Sequence, residues 1–126
     1  GVHDFKRLVV WQRSLSLARR LIPLTVRFAG PARFALGDQI VRAAISIPSN
    51  VAEGAARAST KDFRRFLTIA LGSSYELETQ VILARDLGLL SDRAATGCLA
   101  ELGEINECST VFDRTFGRRE HAPTYG

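Results

Sequence analysis

The chain of 126 residues has no methionine, one tryptophan and only two each of cysteine and histidine. Lysine is nearly missing as well: Lys6 and Lys61 stand alone, and arginine supplies the remaining positive charge. Each shortage excludes something. His3 and His121 sit near opposite termini, so no zinc site and no histidine-based catalyst is expected. Cys98 and Cys108 on one helix would be about 15 Å apart, too far for a disulfide. They read as reduced core or boundary thiols, which suits a cytoplasmic protein. The uncharged stretch at residues 43–52 is as long as any in the chain and far too short to span a bilayer. No basic-then-apolar leader opens the sequence, so neither signal peptide nor membrane partner is expected.

Charge is present but unevenly placed. Residues 1–33 hold Lys6, Arg7, Arg13, Arg19, Arg20, Arg27 and Arg33 against Asp4 alone. Residues 72–107 invert this, with Glu76, Glu78, Asp86, Asp92, Glu101, Glu104 and Glu107 against Arg85 and Arg93. Such polarity suits pairing within the chain or between copies, and equally a basic surface for a polyanion.

Apolar residues recur at helical spacing throughout. Leu8, Trp11, Leu15, Ala18 and Ile22 make one line, and Val10, Leu17, Leu21, Leu24 and Phe28 another, roughly 120° round the same helix. Together they cover an apolar arc of about 180°, wider than one bundle face requires. Pro23 predicts a kink there, and Gly30-Pro31 an end. Leu36, Ile40, Ala44, Ile47, Val51 and Ala55 form the seam of a second helix that runs through Pro48. Ser59 or Thr60 caps a third, with the seam Phe63, Leu67, Ala70, Ser74, Leu77, Val81 and Ala84. Ser91 or Asp92 caps a fourth, carrying Leu99, Leu102, Ile105, Ser109, Phe112 and Phe116. The expectation is an all-α, antiparallel up-down-up-down four-helix bundle with helices at roughly 5–29, 32–57, 60–87 and 92–116. Residues 1–116 would form its single domain and residues 117–126 a mobile tail.

The second helix also carries a polar line, Gln39, Arg42, Ser46, Asn50, Glu53 and Arg57, bordering its apolar seam. Border polar groups need partners, and Glu76 and Glu78 on the third helix are available to Arg42 or Arg57. A polar network of Gln39, Arg42, Asn50, Glu53, Arg57, Glu76 and Glu78 that fixes helix register is the expected role. Gly54, Gly72 and Ser73 are expected to let helices approach closely, and Tyr75 to pack at a boundary. No catalytic residues, cofactor or metal ligands are assigned, because the carboxylates lack the Glu-x-x-His pair of di-iron bundles. Arg13, Arg20 and Arg27, spaced by sevens beside Arg19, are the candidate contacts to nucleic-acid phosphates. Lys61, Arg64 and Arg65 form a second basic cluster.

The segments "LVVWQRSLSLARRL", "LGDQIVRAAISIPSNVAEGAARAS" and "DFRRFLTIALGSSYELETQVILARDLG" closely resemble the four-helix bundle family of 23S ribosomal RNA intervening-sequence proteins. The similarity spans roughly residues 5–116. The resemblance implies a homopentamer of antiparallel four-helix bundles. A relative of that family is the accessory protein of diversity-generating retroelements, a basic pentameric barrel that binds nucleic acid and a reverse transcriptase. The family's characteristic residues map onto Trp11, Gln12, Gln39, Arg42, Asn50, Glu53, Gly54, Arg57, Ser59, Phe63, Gly72, Ser73, Glu76 and Glu78, as a fold signature with no reaction attached. Acidic residues along the fourth helix, Glu101, Glu104 and Glu107, depart from a uniformly basic surface. The leading expectation is a non-enzymatic homo-oligomer whose partner is RNA, DNA or a nucleic-acid enzyme. The alternative is a structural adaptor that docks a protein and binds no nucleic acid.

Overall fold

The computed structural model describes residues 4–120, with the side chains of residues 32 and 110–120 left aside. A 3-10 turn at Phe5–Arg7 leads into α1 (Val9–Thr25), α2 (Ala32–Ala55), α3 (Thr60–Asp86) and α4 (Asp92–Glu120). Among the described residues there is no strand.

The boundaries follow from local chemistry. The Asp4 carboxylate accepts the Lys6 N–H and caps the opening turn, after which Leu8 is extended. The single helix expected over 5–29 is therefore broken before Val9. It also stops early, at Thr25. The N–H groups of Arg27 and Phe28 reach back only three residues, to Leu24 and Thr25, and Gly30 makes the corner at φ +83°. α2 passes through Pro48 without interruption. Ser59 caps α3 by accepting the Asp62 N–H at 3.1 Å, and Ser91 caps α4 through the Ala94 N–H at 3.1 Å. Between them, Gly88 at φ +75° lets the Leu89 N–H return to the Ala84 carbonyl at 2.8 Å, a Schellman closure. α4 reaches Glu120, past the expected end at 116. Residues 121–126 of the expected tail, and both His3 and His121, lie outside the described residues.

Pairings between helices give their directions. Ser46 meets Ser73, while Gly54, later on α2, meets Phe63 and Phe66, earlier on α3. Arg13 meets Glu101 and Glu104, while Arg20, later on α1, meets Gly97. Both pairs of helices are antiparallel. Each helix packs on its neighbours in sequence and α1 closes on α4, with no diagonal packing among the described residues. An all-α four-helix bundle in up-down order accounts for these contacts.

The expected seams of α2 and α3 are buried in full, from Leu36 to Ala55 and from Phe63 to Ala84. On and beside α1 the second line is the deeper one. Val10, Leu17, Leu21 and Phe28 enter the core with Ser14 and Ala18, whereas Leu8, Trp11, Leu15, Ile22 and Leu24 are only half-buried. A fully buried Leu17 or Leu21 contributes about 2 kcal/mol each, so the second line is the one that holds α1 in place. On α4, Ala95, Cys98, Leu102, Ile105 and Ser109 face inward and Leu99 lies at the edge. The Phe112 and Phe116 side chains fall outside the described set.

Candidate binding surfaces on the bundle

The displaced line of α1 does not go unused. Trp11, Leu15, Ala18 and Ile22 form one wall of an open cleft of about 500 Å³, and Ile45, Pro48 and Ala52 of α2 form the other. Both in-helix prolines, Pro23 and Pro48, line it. A proline ring removes one backbone donor and pushes against the carbonyl one turn back, so each marks a local irregularity on the cleft wall. Arg19 stands at the rim. Trp11 is held from behind by Phe5, edge to face at 5.3 Å and 74°. Gln12 ties the opening turn to α1 by donating to the Lys6 carbonyl at 2.8 Å. Ile45 is 49 % exposed.

The polar line of α2 resolves into small separate contacts. Ser46 Oγ and Ser73 Oγ lie 2.8 Å apart across the α2–α3 seam, and Asn50 Nδ2 donates to the Ser46 carbonyl at 2.8 Å and to Ser46 Oγ at 2.9 Å. α2 ends at Ala55, short of the expected 57, and Arg57 in the turn beyond it pairs back with Glu53 at 3.0 Å and stacks over the Phe66 ring at 4.6 Å. Glu76 accepts from Gln80 at 3.1 Å, and Gln39 and Arg42 are exposed. The pairing of Arg42 or Arg57 with Glu76 or Glu78 does not occur. Glu76 and Glu78 are two residues apart on one helix and hence about 200° round from each other, so they form no carboxylate pair. Ser74, buried on the opposite side of α3, donates to Asn106 Oδ1 of α4. Spacing placed Ser46 in the polar line of α2, Ser73 at a close helix approach and Ser74 inside the apolar seam of α3, but it paired neither Ser46 with Ser73 nor Ser74 with Asn106.

Two glycine expectations separate. A Cβ at Gly54 would lie 2.7 Å from Phe66 Cβ and 2.8 Å from Phe63 Cδ2, so close packing requires glycine there. At Gly72 a Cβ would meet nothing within 4 Å; that residue is exposed and mediates no helix contact. Tyr75, expected at a boundary, is 54 % exposed.

Of the arginine line, Arg13 and Arg20 face α4, while Arg27 falls in the turn after α1. Arg13 Nη1 is 3.8 Å from both Glu101 Oε1 and Glu104 Oε2. The Arg20 guanidinium lies against Gly97, where any Cβ would collide with its Nη2, and next to Cys98. Arg27 and Arg19 are exposed. Burial pushes the Cys98 thiol above its ordinary value, against the lowering influence of Arg20, while Glu101 adds to the rise. Cys98 and Cys108 are both free. Among the described residues no His, Cys, Asp and Glu side chains gather in threes as metal ligands do, and no helix is long and apolar enough to cross a membrane.

This arrangement is that of an all-α four-helix bundle with an open apolar cleft between α1 and α2. The chain belongs to the family described as 23S rRNA-intervening sequence protein, which matches residues 6–110. It is similar to a crystal structure of a protein with unknown function from the S23 ribosomal protein family of Bacteroides thetaiotaomicron VPI-5482. That similarity is 26 % in sequence, covers 86 % of this chain and 98 % of that one, and has a TM-score of 0.75. No curated protein matches the chain.

Proposed function

We propose that the chain is a non-enzymatic, homo-oligomeric module that joins copies through the α1–α2 cleft and presents arginines to nucleic acid. The cleft carries this reading. On its α1 wall Trp11, Leu15 and Ile22 are left half-buried in one copy, and covering them with a second copy removes that surface from water. The family's pentameric assembly, expected from the sequence resemblance, suits a surface of this kind. Arg19, Arg20 and Arg27 remain exposed for phosphate contact. The absence of enzymatic chemistry is supported by Glu53, Glu76 and Glu78, which do not converge. Two free thiols suit a reducing, cytoplasmic setting.

A second reading, an adaptor that docks a protein and binds no nucleic acid, is favoured by Arg13, whose charge is taken up by Glu101 and Glu104. Light scattering with and without short RNA and DNA at low salt separates the two. A stable oligomer that gains mass with nucleic acid, reversibly with salt, supports the first. One that ignores both polymers supports the second, and a monomer at all concentrations removes both.

A further inference from the structure

We infer that the face formed by α1 and α4 is a polyanion-binding surface which the chain partly masks with its own carboxylates. The inference rests on the nucleic-acid part of the function proposed above. Arg13 and Arg20 are two turns apart on α1, about 10 Å along its axis, and Arg27 follows in the turn after Thr25. An extended strand presents phosphates along such a run.

The three arginines are not equivalent. Arg13 is forked between two carboxylates one turn apart on α4, each 3.8 Å from its Nη1. Two oxygens with negative charge on one guanidinium are what a phosphodiester would also offer, so Glu101 and Glu104 occupy the place of a phosphate. Further along, α4 supplies Gly97, and the Arg20 guanidinium packs against it, its Nη2 standing where a Cβ would be. Arg27 makes no ion pair among the described residues and is exposed. The face is thus closed by charge at Arg13 and open at Arg20. Arg13 and Glu104 are 40 % and 57 % exposed in their side chains, so water already competes for the pair. The mask therefore sets a threshold that a strand binding at Arg20 and Arg27 can overcome, displacing the carboxylates as it reaches Arg13.

Fluorescence anisotropy of a short labelled single-stranded RNA at low salt tests this on the full chain, with helical content checked by circular dichroism for each variant. Glu101→Gln/Glu104→Gln is expected to bind about five-fold more tightly than the charge-matched control Asp38→Asn/Glu107→Gln. Adding Arg13→Gln should abolish that difference. Should the double variant fold poorly, Glu104→Gln alone, at the more exposed of the two carboxylates, is read against Glu107→Gln. An equal gain in the control, or a gain that survives loss of Arg13, overturns the masking while leaving nucleic-acid binding standing. No binding by any variant overturns both.

Discussion

The hydroxyls of Ser46 on α2 and Ser73 on α3 lie 2.8 Å apart, at the centre of the seam between those helices. Asn50 Nδ2 also donates to Ser46 Oγ, so one serine serves two partners. Removing it strands a half-buried hydroxyl and weakens the hold on Asn50. Ser46→Ala is expected to cost about 1 kcal/mol in urea unfolding, whereas Ser46→Ala/Ser73→Ala should cost no more than the single change, since both polar partners are then gone. A strictly additive double variant would show that the two hydroxyls do not interact.

Gly54 and Gly72 offer opposite outcomes from one substitution. At Gly54 a new Cβ presses on the Phe63 and Phe66 side chains and lies 3.3 Å from the Phe63 carbonyl. Gly54→Ala should lose about 1–3 kcal/mol by overpacking. Gly72→Ala adds a Cβ into open space within a helix and should gain about 0.5–1 kcal/mol. Melting temperatures moving the same way in both would contradict the packing described.

Trp11 is the sole tryptophan and lines the α1–α2 cleft. If copies meet there, its emission should shift to the red on dilution, in step with loss of mass in sedimentation. Ile45→Glu places a charge on the opposite wall and should give the red-shifted, low-mass state at all concentrations while keeping its helical content. Emission that is independent of concentration in a sedimenting oligomer would move the interface elsewhere.

The thiols should differ in reactivity and in their effect on pH stability. Cys98 is fully buried and Cys108 half-buried, so a thiol reagent should label Cys108 first and Cys98 only on unfolding. Folding raises the Cys98 pKa above its ordinary 9.0, chiefly through burial. The folded chain then keeps a proton that the unfolded chain releases at high pH. Its stabilising effect is present in full below the unfolded value and is lost as pH rises through the folded one. Melting temperature should therefore fall above about pH 9 more steeply in the wild type than in Cys98→Ala. Parallel curves would mean the thiol is not protected by folding.

Periodicity determined the helices of this protein, and it determined the buried faces of α2 and α3, because each carries one uninterrupted apolar line with a single place to go. It also revealed that α1 has twice the apolar surface one bundle face needs. Which of its lines enters the core was a tertiary decision: the line of Leu17 and Leu21 fits between α2 and α4, and that of Trp11, Leu15 and Ile22 is left to line the cleft. The polar partners were equally undecided by spacing. A side chain's reach to a neighbouring helix depends on register, which set Ser46 against Ser73 and turned Arg57 back to Glu53. The arginine line was legible at its seven-residue steps, but only the antiparallel placement of α4 brought Glu101 and Glu104 to Arg13 and left Arg20 its glycine bed. Local sequence dictates which face of a helix is apolar; what that face meets is set by how four such faces close on one another.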